Sequence, residues 1–310
     1  MSNFAHNPPK ARQLTGWLLD GAGNRFIVLE RSAIVPWFDQ IPLLAPSLCH
    51  LWDPPAEGVI VVDAVDDLHL VMDFWNPDGS TGMMCGNGGR CAALFAIHQQ
   101  LVPSAQSQFT LRVNENSYLI ERLTANTFRL QFPPITRLQY PLSLPLFGHS
   151  VPAGFVDNGS EHLVLWYPDV APLFPQAASF ETFPLDQLVP PIWAHPLFQE
   201  RKVNVNLVLP LDATTLRIRT FERGVNAETA ACGTGAIAAA AVTASRNGER
   251  KEKRYTVIPP SGDPLIVDLQ MQNHTMIPAL AGSATLVAAA EFTIENGTVH
   301  PVRFIPSNTA

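Results

Sequence analysis

No apolar run in this sequence approaches the roughly 20 residues that a membrane-spanning helix needs. The longest, AIAAAAVTA at 236–244, reads as a buried helix. Cysteine is scarce: Cys49, Cys85, Cys91 and Cys232 are the full set. None forms a C-x-x-C pair and no histidines gather around them at ligand spacing, so the residues point to no metal centre. Unpaired thiols fit a reducing compartment, and a cytoplasmic location is expected. Basic excess is missing too. Lys and Arg total 20 against 27 Asp and Glu, a net charge of -7, which disfavours nucleic acid or an anionic membrane as partner. The one basic run, GERKEKR at 248–254, reads as a solvated loop tip. Residues 1–13 lack the apolar centre of a signal peptide and read as a flexible leader. GNGGR does not have the G-x-G-x-x-G spacing of a dinucleotide fold, and no Gly-Lys-Ser/Thr follows to make a phosphate loop. No lysine motif suggests pyridoxal phosphate, and no cofactor is expected.

What is present is a series of short strand-like runs separated by turns rich in the 28 prolines. Residues 17–30 read as strand, glycine turn, strand; 58–75 as a hairpin turning at Asp66–Asp67; and 109–123 as another, turning near Asn114. Proline-rich 103–108, 140–152 and 168–200 read as connections. Two segments break the pattern, RCAALFAIHQQ (90–100) and GAIAAAAVTASR (235–246), each apolar nearly all round and so a buried helix. The first follows MCGNGG and the second ACGTG. A Cys-Gly-x-Gly element before a buried helix therefore occurs once in each half. This predicts an α+β fold of two pseudo-symmetric domains, each a mainly antiparallel sheet around a central helix, with a site in the cleft between them. The expected division is 14–128, joined by about 290–310, and 129–289.

A thiol at a helix start feels the positive end of the dipole and free N–H groups, which favour thiolate and also bind a carboxylate. Glycines let backbone approach a ligand closely. Two such turns facing each other would grip an α-carboxylate and set one sulfur on each face of the α-carbon. That arrangement suits removal of a proton from one face and delivery to the other, with the carbanion stabilised by N–H groups as in an oxyanion hole. Cys85 and Cys232 are the candidate pair; Cys49 and Cys91 read as small core residues.

NPDGSTGMMCGNGGRC (76–91) and FERGVNAETAACGTGA (221–236) resemble the two signature segments of the diaminopimelate epimerase family. GAGNRF (21–26), VDNGSEHLV (156–164), VNVN (203–206), PPSGDPLIVDL (259–269) and LAGSATLV (280–287) extend the resemblance in order along nearly the whole chain. It implies inversion of LL-2,6-diaminopimelate to the meso form, in lysine and peptidoglycan precursor synthesis, with Cys85 as base and Cys232 as acid in that direction. It also implies that backbone around Gly86, Asn87, Gly233 and Thr234 holds the α-carboxylate. Asn24, Asn76, Asn204 and Arg223 match substrate-binding positions, with Arg223 suited to a distal carboxylate. Glu222 would bind the amino group or support the base. His162 stands either beside the cysteines as a supporting residue or as a partly buried structural histidine.

The chain departs from the family pattern at three places. Arg25 stands where Asp is usual, Ser160 and Glu161 where Asn-Pro is usual, and residues 48–59 lack the usual glycine-rich segment. These leave two alternatives beside diaminopimelate: a cofactor-independent racemase of another amino acid, and a non-catalytic amino-acid-binding protein of the same fold. The expected partner is a small amino-acid substrate, and a homodimer is compatible with the sequence.

Overall fold

Alternating burial along the strand runs shows how each hairpin lies with one face on a core. TLRIRTFE, for example, buries Leu216, Ile218 and Thr220. The computed structural model describes residues 13–306 apart from 83, 178, 250 and 274, so all of the expected leader but Gln13 lies outside the described residues. The first half contains β1 (Leu14–Gly21), β2 (Asn24–Glu30), α1 (Arg31–Ile34), α2 (Ile41–Cys49), β3 (Val59–Asp66), β4 (His69–Trp75), α3 (Gly86–His98), β5 (Gln108–Val113), β6 (Asn116–Arg122) and β7 (Thr127–Gln131). There follow β8 (Arg137–Leu146), β9 (His149–Asp157), β10 (Glu161–Trp166), α4 (Tyr167–Val170), α5 (Leu185–Trp193), β11 (Asn204–Pro210), β12 (Thr215–Glu222) and β13 (Ala227–Glu228). The chain continues through α6 (Gly233–Arg246), β14 (Lys253–Ile258), β15 (Leu265–Gln272), β16 (Thr275–Ser283), β17 (Thr285–Glu295) and β18 (Thr298–Pro306).

The pairings repeat. In the first half β1–β2 is antiparallel, β2–β3 parallel, β3–β4 antiparallel, β4–β5 parallel, and β5–β6 and β6–β7 antiparallel. In the second, β9–β10, β10–β11, β11–β12, β12–β14, β14–β15 and β15–β16 run through the same alternation. The halves join where β7 pairs antiparallel with its counterpart β16. Each half also completes the other at a far edge: β8 follows β7 and pairs with β9, while β17 follows β16 and returns to pair with β1. The fold is thus α+β and mainly antiparallel, with α3 central to one sheet and α6 to the other. Among the described residues no helix is long and apolar enough to cross a membrane.

Both helices begin earlier than their apolar pattern suggests, at Gly86 rather than 90 and at Gly233 rather than 235. The glycines usually read as turn are the first helical turn, because closely packed side chains leave no room there for anything larger. A Cβ on Gly89 would lie 2.7 Å from Leu130 Cδ2. The proline-rich stretches also hold more structure than expected. Residues 140–152 lie within β8 and β9; among the described residues β8 pairs only with β9, with Pro141 at an irregularity of that pairing and Pro145 on the edge strand, where proline is tolerated. α5 lies within 168–200 and contains Pro190 and Pro191, yet buries Leu185, Leu188, Val189 and Ile192 on one face.

Gly154 of β9 lets the sheet approach the helix closely, since a Cβ there would meet Val242 Cγ1 of α6 at 2.0 Å. Gly154→Ala is expected to cost about 1–3 kcal/mol by overpacking. Adding Val242→Ala should return part of that loss, a non-additivity readable from denaturant midpoints. Additive losses in the double variant would show that the contact is not the cause.

Candidate active site

Each cysteine is the N-cap of its helix. Cys85 has extended backbone (φ -110°, ψ 117°) and its sulfur accepts the Gly88 N–H at 3.4 Å. Cys232 repeats this (φ -119°, ψ 110°), accepting the Gly235 N–H at 3.4 Å. The two helix starts abut. A Cβ on Gly233 would lie 3.5 Å from Gly86 Cα, and one on Gly86 would lie 3.8 Å from Gly233 Cα. Either would also strike Leu280 Cδ2 at 2.9 Å. Glycine at both positions lets the two helix starts lie in contact without displacing Leu280.

Amide side chains hold the second cysteine turn in place. The Ala231 carbonyl, next to Cys232, accepts the Nδ2 of Asn24 at 3.0 Å and of Asn87 at 3.1 Å, both from the first half. Asn158 donates to the Thr234 carbonyl at 2.8 Å. The Oδ1 atoms of Asn24 and Asn158 are buried and unpartnered, leaving two acceptors beside the turn. Asn204 donates to Ser160 Oγ (2.8 Å) and the Glu161 carbonyl (3.2 Å), and its Oδ1 takes the Arg223 N–H (3.0 Å). Arg223 reaches Glu161 at 3.3 Å and the Lys202 carbonyl at 2.7 Å. Asn76 instead bonds within its own turn, to Ser80 Oγ at 2.9 Å.

His162 is fully buried. Asn206 donates Nδ2 to the Leu163 carbonyl (2.9 Å), which fixes its orientation, and lies 3.1 Å from His162 Nδ1. Nδ1 is therefore the acceptor and the ring proton sits on Nε2, facing Thr234 Oγ1 at 3.0 Å. The Thr234 hydroxyl can then donate to Cys232 Sγ, 3.5 Å away. Burial lowers the His162 pKa from 6.5 to about 3, so the ring is neutral.

The helix N-termini do draw the thiols toward ionisation, through the N–H groups of Gly88 and Asn87 at Cys85 and of Gly235 at Cys232. The expected net lowering is nevertheless reversed. Burial pushes Cys85 up to about 11 and Cys232 well above the usual thiol range, with Glu222 raising both further. Glu222 is itself raised by burial, bonds Thr229, and accepts from Cys232.

Four groups carry no assignment from sequence. Glu57, in the departing 48–59 segment, is exposed as a residue, yet desolvation first, then Glu222 and Asp20, push its carboxyl up to about 7; it in turn raises Cys85. Asn158, Asn206 and Arg90 are buried polar residues around the turns. Arg90 sits inside the first signature, but only its burial shows that it packs beneath the cysteines. A cleft of about 420 Å³ lies outside β12, lined by residues such as Phe180, Arg217 and Arg219; neither sulfur lines it. Beside the cysteines the halves are closed, with Cys232 only 7% exposed.

Residues 17–123 and 154–287 match the family model for diaminopimelate epimerase. The chain belongs to the diaminopimelate epimerase family. Curated diaminopimelate epimerases are similar across most of their length. That of Aquifex aeolicus is 31% identical, covering 81% of this chain and 88% of the relative. That of Moorella thermoacetica is 30% identical, covering 89% and 98%. The chain is an isomerase of this family. Two solved structures share the fold. A Bacillus anthracis phenazine biosynthesis protein of the PhzF family has a TM-score of 0.70 at 13% identity, with 91% of this chain and 100% of that one covered. A hydroxyproline epimerase from Agrobacterium vitis has a TM-score of 0.65 at 12% identity, covering 92% and 94%.

Because unfolded His162 takes a proton near 6.5 and the folded ring only near 3, its burial contributes stability above pH 6.5 that is lost as pH falls toward 3. His162→Asn should therefore flatten the acid limb of the stability curve by up to one proton, roughly 1.4 kcal/mol per pH unit. Denaturant titrations between those pH values check this; equal slopes would place the titrating group elsewhere.

Proposed function

We propose that this enzyme inverts the α-carbon of LL-2,6-diaminopimelate to give the meso form, in lysine and peptidoglycan precursor synthesis, by a two-thiol mechanism. The observation that carries the reading is the pair of cysteine N-caps on abutting helices. The backbone of the two first turns, around Gly86, Asn87, Gly233 and Thr234, holds the α-carboxylate and stabilises the charge that develops when the α-proton leaves. Cys85, with two N–H groups directed at its sulfur and no carboxylate bonded to it, is the base. Cys232, donating to Glu222, is the acid. The proton removed by Cys85 stays on that sulfur while Cys232 delivers its own from the opposite face. The roles swap in reverse. Asn24 and Glu222 lie beside the second turn to receive the α-ammonium, and Asn204, Ser160 and Arg223 form the distal end.

A second reading, a racemase of another amino acid, is favoured by one contact: Glu161, where proline is usual, already pairs with Arg223. A carboxylate there competes with a distal substrate carboxylate for the same guanidinium.

In deuterated water, the enzyme should exchange the α-proton of diaminopimelate and interconvert its LL and meso forms. Cys85→Ala and Cys232→Ala should each lower turnover by about 10²–10⁴-fold, the usual contribution of a general acid or base. Exchange confined to a different amino acid would establish the second reading, and full turnover by Cys85→Ala would remove the two-thiol mechanism.

A further inference from the structure

Arg90 is fully buried, one turn into α3. Its guanidinium donates to three neutral acceptors: the Ser283 carbonyl at 3.0 Å, the Gly86 carbonyl at 3.2 Å and Asn87 Oδ1 at 2.9 Å. Among the described residues no carboxylate forms an ion pair with it; the thiols of Cys91 and Cys85 act on it first, and Asp263 and Asp20 after them. Space for it is built in, because a Cβ on Gly282 of β16 would lie 3.0 Å from the guanidinium carbon. Arginine stays charged in proteins. A buried charge with no opposite charge beside it is strongly unfavourable unless the site supplies one.

The three bonds lead to the two sulfurs. The Gly86–Asn87 peptide takes Arg90 at its carbonyl and presents its N–H to Cys85. The Asn87 side chain takes Arg90 at Oδ1 and passes its own N–H to the Ala231 carbonyl, at the residue before Cys232. Hydrogen bonds in such chains polarise one another. We propose that Arg90 is the positioning residue common to both cysteine turns and the resident countercharge for the thiolate and substrate carboxylate that the closed site gathers. The negative groups already present, Glu222 and Glu57, oppose a thiolate at Cys85. Arg90 is the buried positive group that offsets them. It acts through Gly86 and Asn87 and touches no reacting atom.

The inference rests on the two-thiol reading, but its test needs no turnover. Substrate-free enzyme is treated with a small neutral alkylating reagent at several pH values, and labelling of each cysteine is followed by mass spectrometry. Arg90→Gln keeps hydrogen-bonding capacity and removes the charge. Cys85 and Cys232 should then label at least about tenfold more slowly at a given pH, as expected when an opposite charge nearby is lost. Cys49, buried in the core and with no charged group acting on it, should label as in the parent, while Cys91, which Arg90 also draws toward ionisation, is not used as a control. Arg90→Lys, which keeps the charge, should restore most of the rate. A merely structural role predicts the opposite direction, since a loosened fold labels all four cysteines faster. Unchanged rates at Cys85 and Cys232 in folded Arg90→Gln would overturn the proposal. Should that variant not fold, Asn87→Ala decides. Cys232 slowed several-fold with Cys85 unaffected supports the relay, and Cys232 at the parent rate overturns it. Neither result bears on whether diaminopimelate exchanges its proton, so the two proposals fail separately.

Discussion

Two helix N-termini meeting head to head are the arrangement on which the rest of this molecule depends. Aligned peptide dipoles repel when their positive ends are brought together, and the unpaired N–H groups of both first turns are gathered in one place. The contact is tolerable because Gly86 and Gly233 bring no side chain of their own to it, and because each sulfur accepts an N–H of its own first turn. The same concentration of positive potential is what a carboxylate and a developing carbanion require. Stability and chemistry thus draw on one feature, which the surrounding sheets hold in place.

Much of this was legible in the residues. The Cys-Gly-x-Gly elements, 147 positions apart, announced the duplication, and the hairpins turning at Asp66–Asp67 and Asn114 fell where the strands break. The two signature segments pointed to Cys85 and Cys232, which stand at abutting helix starts, and GAGNRF pointed to Asn24, whose side chain meets the Ala231 carbonyl. Other features escaped because their signal is tertiary. Proline in 140–152 argued against strands, yet an edge strand has no partner to notice the missing N–H. The glycines before each apolar run looked like a turn, and their close packing against Ile60, Leu130 and Leu280 depends on residues far away in the chain. The dipole argument for acidic thiols was sound in direction, but sequence carries no measure of enclosure, and enclosure outweighs the dipole at both sulfurs. Asn206 and Arg90 were visible as letters in motifs. What each bonds depended on partners far away in the chain.

The polar groups around the cysteines form two different settings. Cys232 is ringed by side chains that give and take protons or hydrogen bonds, namely Glu222, Thr234 and, one step back, His162 held by Asn206. Cys85 has mainly backbone around it. The pseudo-symmetry of the strands therefore stops short of the side chains around the two sulfurs.

The exchange of edge strands also governs how the chain comes to be folded. Leu14 of β1 pairs with Phe292 of β17, so the first sheet keeps an open edge until β17 has been made. During synthesis the N-terminal half cannot close as an independent unit, although it contains its own helix and hairpins. Exposed pairing groups on β1 must wait for a strand that arrives only after the second sheet is complete, and a nascent chain of this design has most need of protection from self-association at its very beginning.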